Sequence, residues 1–179
     1  MALTCKLDHD MLRTSNCGYS LPEVTDIYLA NFEDVHTEYA STESAGTNEI
    51  TAITFTDADK KFYHIEPAKG SASFEDALVV EDNGTKYRTH TLTFNVTGQY
   101  TKERSWDFDN LSLGKYFAVV KTAEGNYLGL GRITGLEAET ATNSGGGDSN
   151  GMQIVLSQNV TESAAPLSAA VVKKVTGEE

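Results

Sequence analysis

SASFEDALVVEDNGTKYRTHTLTFNVT, residues 71–97, decides the fold class. In its first arm Phe74, Leu78 and Val80 share one face. In the second, Leu92, Phe94 and Val96 share a face while Thr89, Thr91, Thr93 and Asn95 take the other. A period of two held this long is the mark of half-buried strands. Between the arms lies Asn83-Gly84, the dipeptide favoured where both central positions of a tight hairpin turn need positive φ. Arms of about 10 residues are longer than an average strand. Such a hairpin either projects past the core and pairs with a neighbour or supplies a central pair of long strands, and the pattern suits both.

Working outward, the same rhythm recurs. DIYLANF (26–32) reads as a strand, and the polar stretch EDVHTEYASTESAGTNE (33–49) as an exposed loop. EITAITFT (49–56) and KFYHIEP (61–67), joined by the short turn DADK, read as a hairpin. YTKERSWDFDNLSL (100–113) predicts the one helix, with Tyr100, Arg104, Phe108 and Leu111 on a core-facing stripe, Trp106 beside it and Gly114 as its C-cap. KYFAVVKT (115–122) and YLGLGRI (127–133) flank the turn AEGN as a second hairpin. LEAETAT (136–142) leads through a glycine run into MQIVLSQNV (152–160). The chain therefore reads as mostly antiparallel β with no βαβ alternation. It divides into an N-terminal arm (1–20), a β domain (21–160) and a C-terminal tail (161–179), the last expected as a mobile arm or a peripheral pairing segment.

A chain of 179 residues is long enough for one domain with a sizeable core. Its net charge of −12 argues against unassisted nucleic-acid binding, which depends on Lys and Arg meeting phosphates. The same charge suits a surface past which a polyanion must slide, and equally plain solubility. The N-terminus lacks the apolar core of an export signal, and no stretch approaches the roughly 20 apolar residues of a membrane span, so a soluble protein made in a reducing cytoplasm is expected. Cys5 and Cys17 then read as free thiols or packing residues. They flank Asp8, His9 and Asp10, but their spacing is not that of a zinc knuckle.

The residues give no positive sign of catalysis. NSGGGDSNG (143–151) lacks the Lys-Ser/Thr of a phosphate loop, precedes a strand rather than a helix, and lacks the further ligands of a calcium loop. DADKKFYHIE (57–66) opens like an EF-hand, yet Lys61 and Phe62 occupy the next ligand and glycine positions. His9, His36, His64 and His90 are scattered, and a lone His90 on a strand reads as a surface or satisfied residue. No cofactor and no metal are expected, and an acid-pair hydrolase is the weakest reading.

The ordered series is more specific than any piece of it. IYLANFEDV (27–35), EITAITFTDADKKFYHIE (49–66), KGSASFEDALVVEDNGTKYRTHTLTFNV (69–96), a helix, KYFAVVKTAEGNYLGLG (115–131) and DSNGMQIVL (148–156) follow an early cysteine pair. This succession, over roughly residues 1–160, resembles the tail tube and related tail structural proteins of phages infecting Bacteroidetes. The last strand lacks that family's aromatic-rich form, the helix is short and the C-terminal tail is extra. Main tube subunit, tail hub, tail-terminating protein and capsid decoration protein therefore stay open.

The resemblance implies a β-sandwich or partly closed barrel with one flanking helix and a long β-hairpin. It implies a homo-oligomer built as stacked six-membered rings, meeting other phage tail proteins in a virion after synthesis in the bacterial host cytoplasm. DNA would pass through the ring without sequence-specific binding. On that reading Phe74, Leu78, Val80, Asn83, Gly84, Leu92, Phe94 and Val96 are candidates for the subunit interface, and Gly145, Gly146, Gly147, Asp148 and Asn150 for a loop contact between rings. The competing class is a β-sandwich surface- or carbohydrate-binding module, for which Tyr87, Tyr100, Trp106 and Tyr116 would have to form an exposed aromatic patch.

Overall fold

KYFAVVKT, apolar at every position from Tyr116 to Val120, is the strand around which the rest is arranged, and it is buried on both faces. A computed structural model of the chain describes residues 23–42, 47–97, 101–146 and 151–177. Its elements in order are β1 (Val24–Asn31), β2 (Val35–Thr42), β3 (Thr47–Phe55), β4 (Tyr63–Ile65), β5 (Ser73–Val80), β6 (Lys86–Val96) and α1 (Lys102–Leu113). There follow β7 (Lys115–Thr122), β8 (Tyr127–Leu130), β9 (Leu136–Ser144), β10 (Gly151–Val160), β11 (Ala165–Pro166) and α2 (Ala169–Thr176). The protein is mainly β, sandwich-like and antiparallel, and the described strands form no closed barrel.

One edge of β7 pairs with β1 along its length. Its other edge is shared: Lys115 and Tyr116 face β9, whereas Ala118–Lys121 face β8. The sheet therefore forks, with one branch running from β8 to β11 and the other through β9, β10 and β6 to β5, while β4 closes the far side of β1. Alternation places Tyr116, Ala118 and Val120 with Ile27, Leu29, Leu92, Phe94, Ile154 and Leu156 in one core cluster. The other face of β7, Phe117 and Val119, joins Tyr28, Ile50, Ile53, Val171 and Val175 in a second. β7 is thus the layer shared by two cores.

Several expectations are corrected. Within the polar stretch expected as a loop, Val35–Thr42 is a strand: Val35, Thr37 and Tyr39 lie opposite Phe55, Ile53 and Ile50, so β2 pairs with β3. The expected hairpin of 49–56 with 61–67 does not form, because β3 takes β2 and β4 takes β1. Of the two forms expected for the C-terminal stretch, mobile arm or peripheral pairing segment, it takes the second. Ala165 and Pro166 extend β8, and α2 buries Val171 and Val175, so a second helix joins the expected one. Within α1, Thr101 caps the N-terminus and Phe108 and Leu111 turn inward, but Trp106 is 70% exposed rather than packed beside them. Tyr100, Cys5 and Cys17 lie outside the described residues.

Candidate assembly surface

The long hairpin forms as expected, with β5 and β6 paired from Ser73↔Thr93 to Val80↔Lys86. Its turn is wider than the two-residue form. The Gly84 amide donates to the Glu81 carbonyl, the Asn83 side chain accepts from the Thr85 amide, and Gly84 takes a φ of 83°. The hairpin also overhangs the core. Leu92 and Phe94 are fully buried and Phe74 and Val96 are partly buried against the first cluster, whereas Leu78 and Val80, two and four residues past Asp76, stand 58% and 57% exposed. Of the interface candidates, Leu92 and Phe94 are therefore core residues of this chain, and Leu78, Val80, Asn83 and Gly84 remain accessible.

β5 ends its branch of the sheet, so its outer edge meets no other described strand. Unpaired amides and carbonyls along such an edge are a ready template for strand addition. At the opposite end of the branch, β9 pairs with β7 only at Leu136 and Glu137, and α1 runs alongside it.

Between these ends, the face of β5, β6, β10 and β9 turned away from the core is rich in hydroxyls and amides, with Ala77, Val79 and Val155 interspersed. It carries Thr89, Thr91, Thr93 and Asn95 from β6, with Gln153, Ser157 and Asn159 from β10. Thr91 and Ser157 hydroxyls meet at 3.3 Å, and Thr89 donates to the Asn159 side chain at 2.9 Å, which knits β6 to β10. Glu75 and Glu137 are charged members of this face, and neither Lys nor Arg is among its outward positions on the four strands. At its margin Lys115 of β7 pairs with Glu137 at 2.7 Å. Gly145 and Gly146 are exposed where β9 leaves the sheet, Gly146 with a φ of 105°, while Gly147, Asp148 and Asn150 lie outside the described residues.

Under the hairpin sits a polar cluster that the sequence did not reveal. His90 is fully buried, and its Nδ1 accepts the Gly131 amide at 3.1 Å. Asp76 takes Arg88, the Ala164 amide at 2.9 Å and, at 3.4 Å, the Nε2 of His90. Glu162, also buried, accepts the Ile133 amide at 2.9 Å. Burial opposes the charged form of Asp76, but Arg88, the Ala164 amide and the charges of His90 and Arg88 together hold its carboxyl below the ordinary 3.8. Burial pushes His90 below its ordinary 6.5, against the pull of Asp76 and Glu162. This cluster ties β5 and β6 to the β8–β9 turn and to the segment after β10. Its histidine is sealed from solvent, so it serves packing rather than chemistry on a solute.

The described members of the candidate aromatic patch, Tyr87, Trp106 and Tyr116, do not gather. Tyr116 is buried with its hydroxyl donating to the Asn110 carbonyl, Tyr87 lies near the hairpin turn with its hydroxyl on Glu81, and Trp106 stands out on α1. Among the described residues no three His, Cys, Asp or Glu side chains come together to hold a metal ion, and no helix is long and apolar enough to cross a membrane. No family model, curated protein or solved structure matches the chain.

Proposed function

We propose that this chain is a structural subunit of a phage tail, assembling into stacked, six-membered rings that conduct DNA during ejection. The observation that carries the reading is the broad face of β5, β6, β10 and β9: mostly polar, free of Lys and Arg on its outward positions, and ending in an edge of β5 that meets no other described strand. Affinity for DNA rests on cations meeting phosphates, so a wall of hydroxyls, amides and a few carboxylates lets a polyanion pass without holding it. The overhanging hairpin at one end of that wall gives a neighbouring copy a surface to meet, and such a contact repeated by rotation closes a ring. The resemblance of the ordered strand series to phage tail proteins supports the same conclusion. Tube, hub and terminating subunits are finer forms of this reading.

Size-exclusion chromatography with light scattering, followed by negative-stain microscopy, tests it. Six-fold rings or tubes with the hydroxyl-rich face turned to the lumen are expected. A strict monomer at high concentration, or rings whose lumen is lined by cations, overturns the proposal.

A further inference from the structure

The branch β9-β10-β6-β5 ends in two apolar surfaces that nothing described in this chain covers. At one end the overhanging hairpin presents Leu78 and Val80, with Lys86 directly opposite Val80. At the other end α1 turns Phe108 and Leu111 into the core and presents Trp106 and Leu113 outward, 70% and 89% exposed. Seven residues apart, these two share one stripe of the helix, with Asp109 between them and also exposed. Lys102 and Glu103 extend that stripe by a turn and offset one another in charge.

Large exposed apolar side chains in paired groups mark contact surfaces, whereas single ones are ordinary. On the faces that carry these groups the flanking charges are of opposite sign: Lys86, paired across from Val80, with Glu81 and Asp82 beyond it in the turn, and Asp109 between Trp106 and Leu113. The two surfaces lie across the width of four strands, about 15 Å at ordinary strand spacing, so their union joins different copies. A contact between unlike surfaces is heterologous, and repeated by rotation it closes a ring.

We propose that the overhanging end of the β5–β6 hairpin in one copy seats Leu78 and Val80 on the Trp106–Leu113 face of α1 in the next copy, with Lys86 facing Asp109. The inference rests on the ring assembly proposed above and assigns its lateral contact. It makes the helix, rather than the bare edge of β9, the surface that receives the neighbouring hairpin.

Trp106 is the one tryptophan of the chain, so its fluorescence reports on the covering of this face of α1. With rising concentration of the full chain, its emission shifts to the blue and acrylamide quenching falls. Leu78→Glu and Leu113→Glu, both at exposed positions, keep the far-ultraviolet circular dichroism of the parent and each block assembly. An equimolar mixture of the two variants forms a discrete dimer, because one intact contact survives between them. Lys86→Asp weakens assembly and Asp109→Lys in the same chain restores it. Rings that form while Trp106 stays fully quenchable, with Leu113→Glu assembling normally, overturn this contact and leave the ring reading standing. A chain that stays monomeric at every concentration overturns both.

Discussion

The Nδ1 of His90 accepts the backbone N–H of Gly131 at 3.1 Å, inside a core where the ring has no contact with solvent. An acceptor at Nδ1 places the proton of the neutral ring on Nε2, which points to Asp76 at 3.4 Å. One histidine thereby fixes the start of the β8–β9 turn against the middle of β6. Adding a proton to Nδ1 would set two donors against each other, so the fold holds the ring neutral.

Acid should loosen the protein in two windows. His90 lies below 6.5 in the folded state, through burial, whereas the unfolded chain takes up its proton near 6.5. The unfolded state then binds more protons, so the contribution of His90 is full above about pH 6.5 and is lost as pH falls toward the folded value. The slope approaches about 1.4 kcal/mol per pH unit for a single group. Asp76, held below 3.8, adds a second loss as pH drops under that value. Urea midpoints measured from pH 7.5 to 4.5 should fall for the parent and stay nearly flat for His90→Gln, whose amide oxygen can still accept from Gly131. Parallel curves for the two proteins would remove His90 as the cause.

Gly131→Ala should be costly for two separate reasons. Gly131 has a φ of 69°, where an L side chain costs about 1–2 kcal/mol, and an added Cβ would lie 2.8 Å from the Leu136 side chain. Gly84 offers the contrast, with a φ of 83° and open space around it, so Gly84→Ala carries the conformational cost alone. For a chain of this size about 1 kcal/mol moves the melting temperature by roughly 2–4 °C. Thermal melts should therefore place Gly131→Ala below Gly84→Ala, and the reverse order would show that the β8–β9 turn relaxes freely.

What could be read in advance follows from where apolar residues stand in each element. β7 and β8 announce themselves by apolar runs, and β5, β6 and β10 by an alternation that survives Asp76, Arg88, His90 and Gln158 on the inner face. β2 does not, because its inward positions include Thr37 and its outward ones are polar, so exposure masks the period. α2 carried a faint signal: Val171 and Val175 at helical spacing, followed by Gly177, which takes a φ of 73° past the last turn. On α1 the spacing places Phe108 and Leu111 inward, as found, whereas Arg104 on the same stripe stays exposed and donates to the Thr97 carbonyl. The hairpin and its polar face were visible in the alternation of 86–97. Which of its residues stay exposed was not, because Leu92 and Phe94 share a face with Leu78 and only packing against β1 and β7 distinguishes them. The Asp76–His90–Glu162 cluster joins positions up to 86 residues apart, a separation that no local pattern encodes.

Removing α2 should unfold the second core rather than trim a tail. Val171 and Val175 are buried against Ile50, Ile53 and Phe117, and Lys174 donates to the Ile53 carbonyl at 2.7 Å. Burial of two valines contributes roughly 3–6 kcal/mol together, a large share of an ordinary domain's stability. A chain ending at Ser168 should melt well below the parent and expose β3 to protease. A truncated protein with the parent's melting temperature would mean that α2 only rests on the surface.

A cation placed on the hydroxyl-rich face should turn an inert wall into a DNA-binding one. Thr91 stands in the middle of that face, half-buried beside Ser157, on the side of β6 opposite to Leu92 and Phe94. Thr91→Lys should therefore change the melting temperature little, since substitutions on such a face stay within about 0.5 kcal/mol. In assembled rings the change is multiplied by symmetry, and each added phosphate contact steepens the salt dependence of DNA affinity by about 0.9 in logarithmic slope. Filter binding of assembled protein with duplex DNA at 50 to 200 mM salt should show negligible retention by the parent. The variant should retain DNA at low salt and lose it steeply as salt rises. Strong, salt-sensitive retention by the parent itself, or assembled Thr91→Lys rings that behave like the parent, would place this face outside the DNA path and leave its lack of cations without a role in conduction.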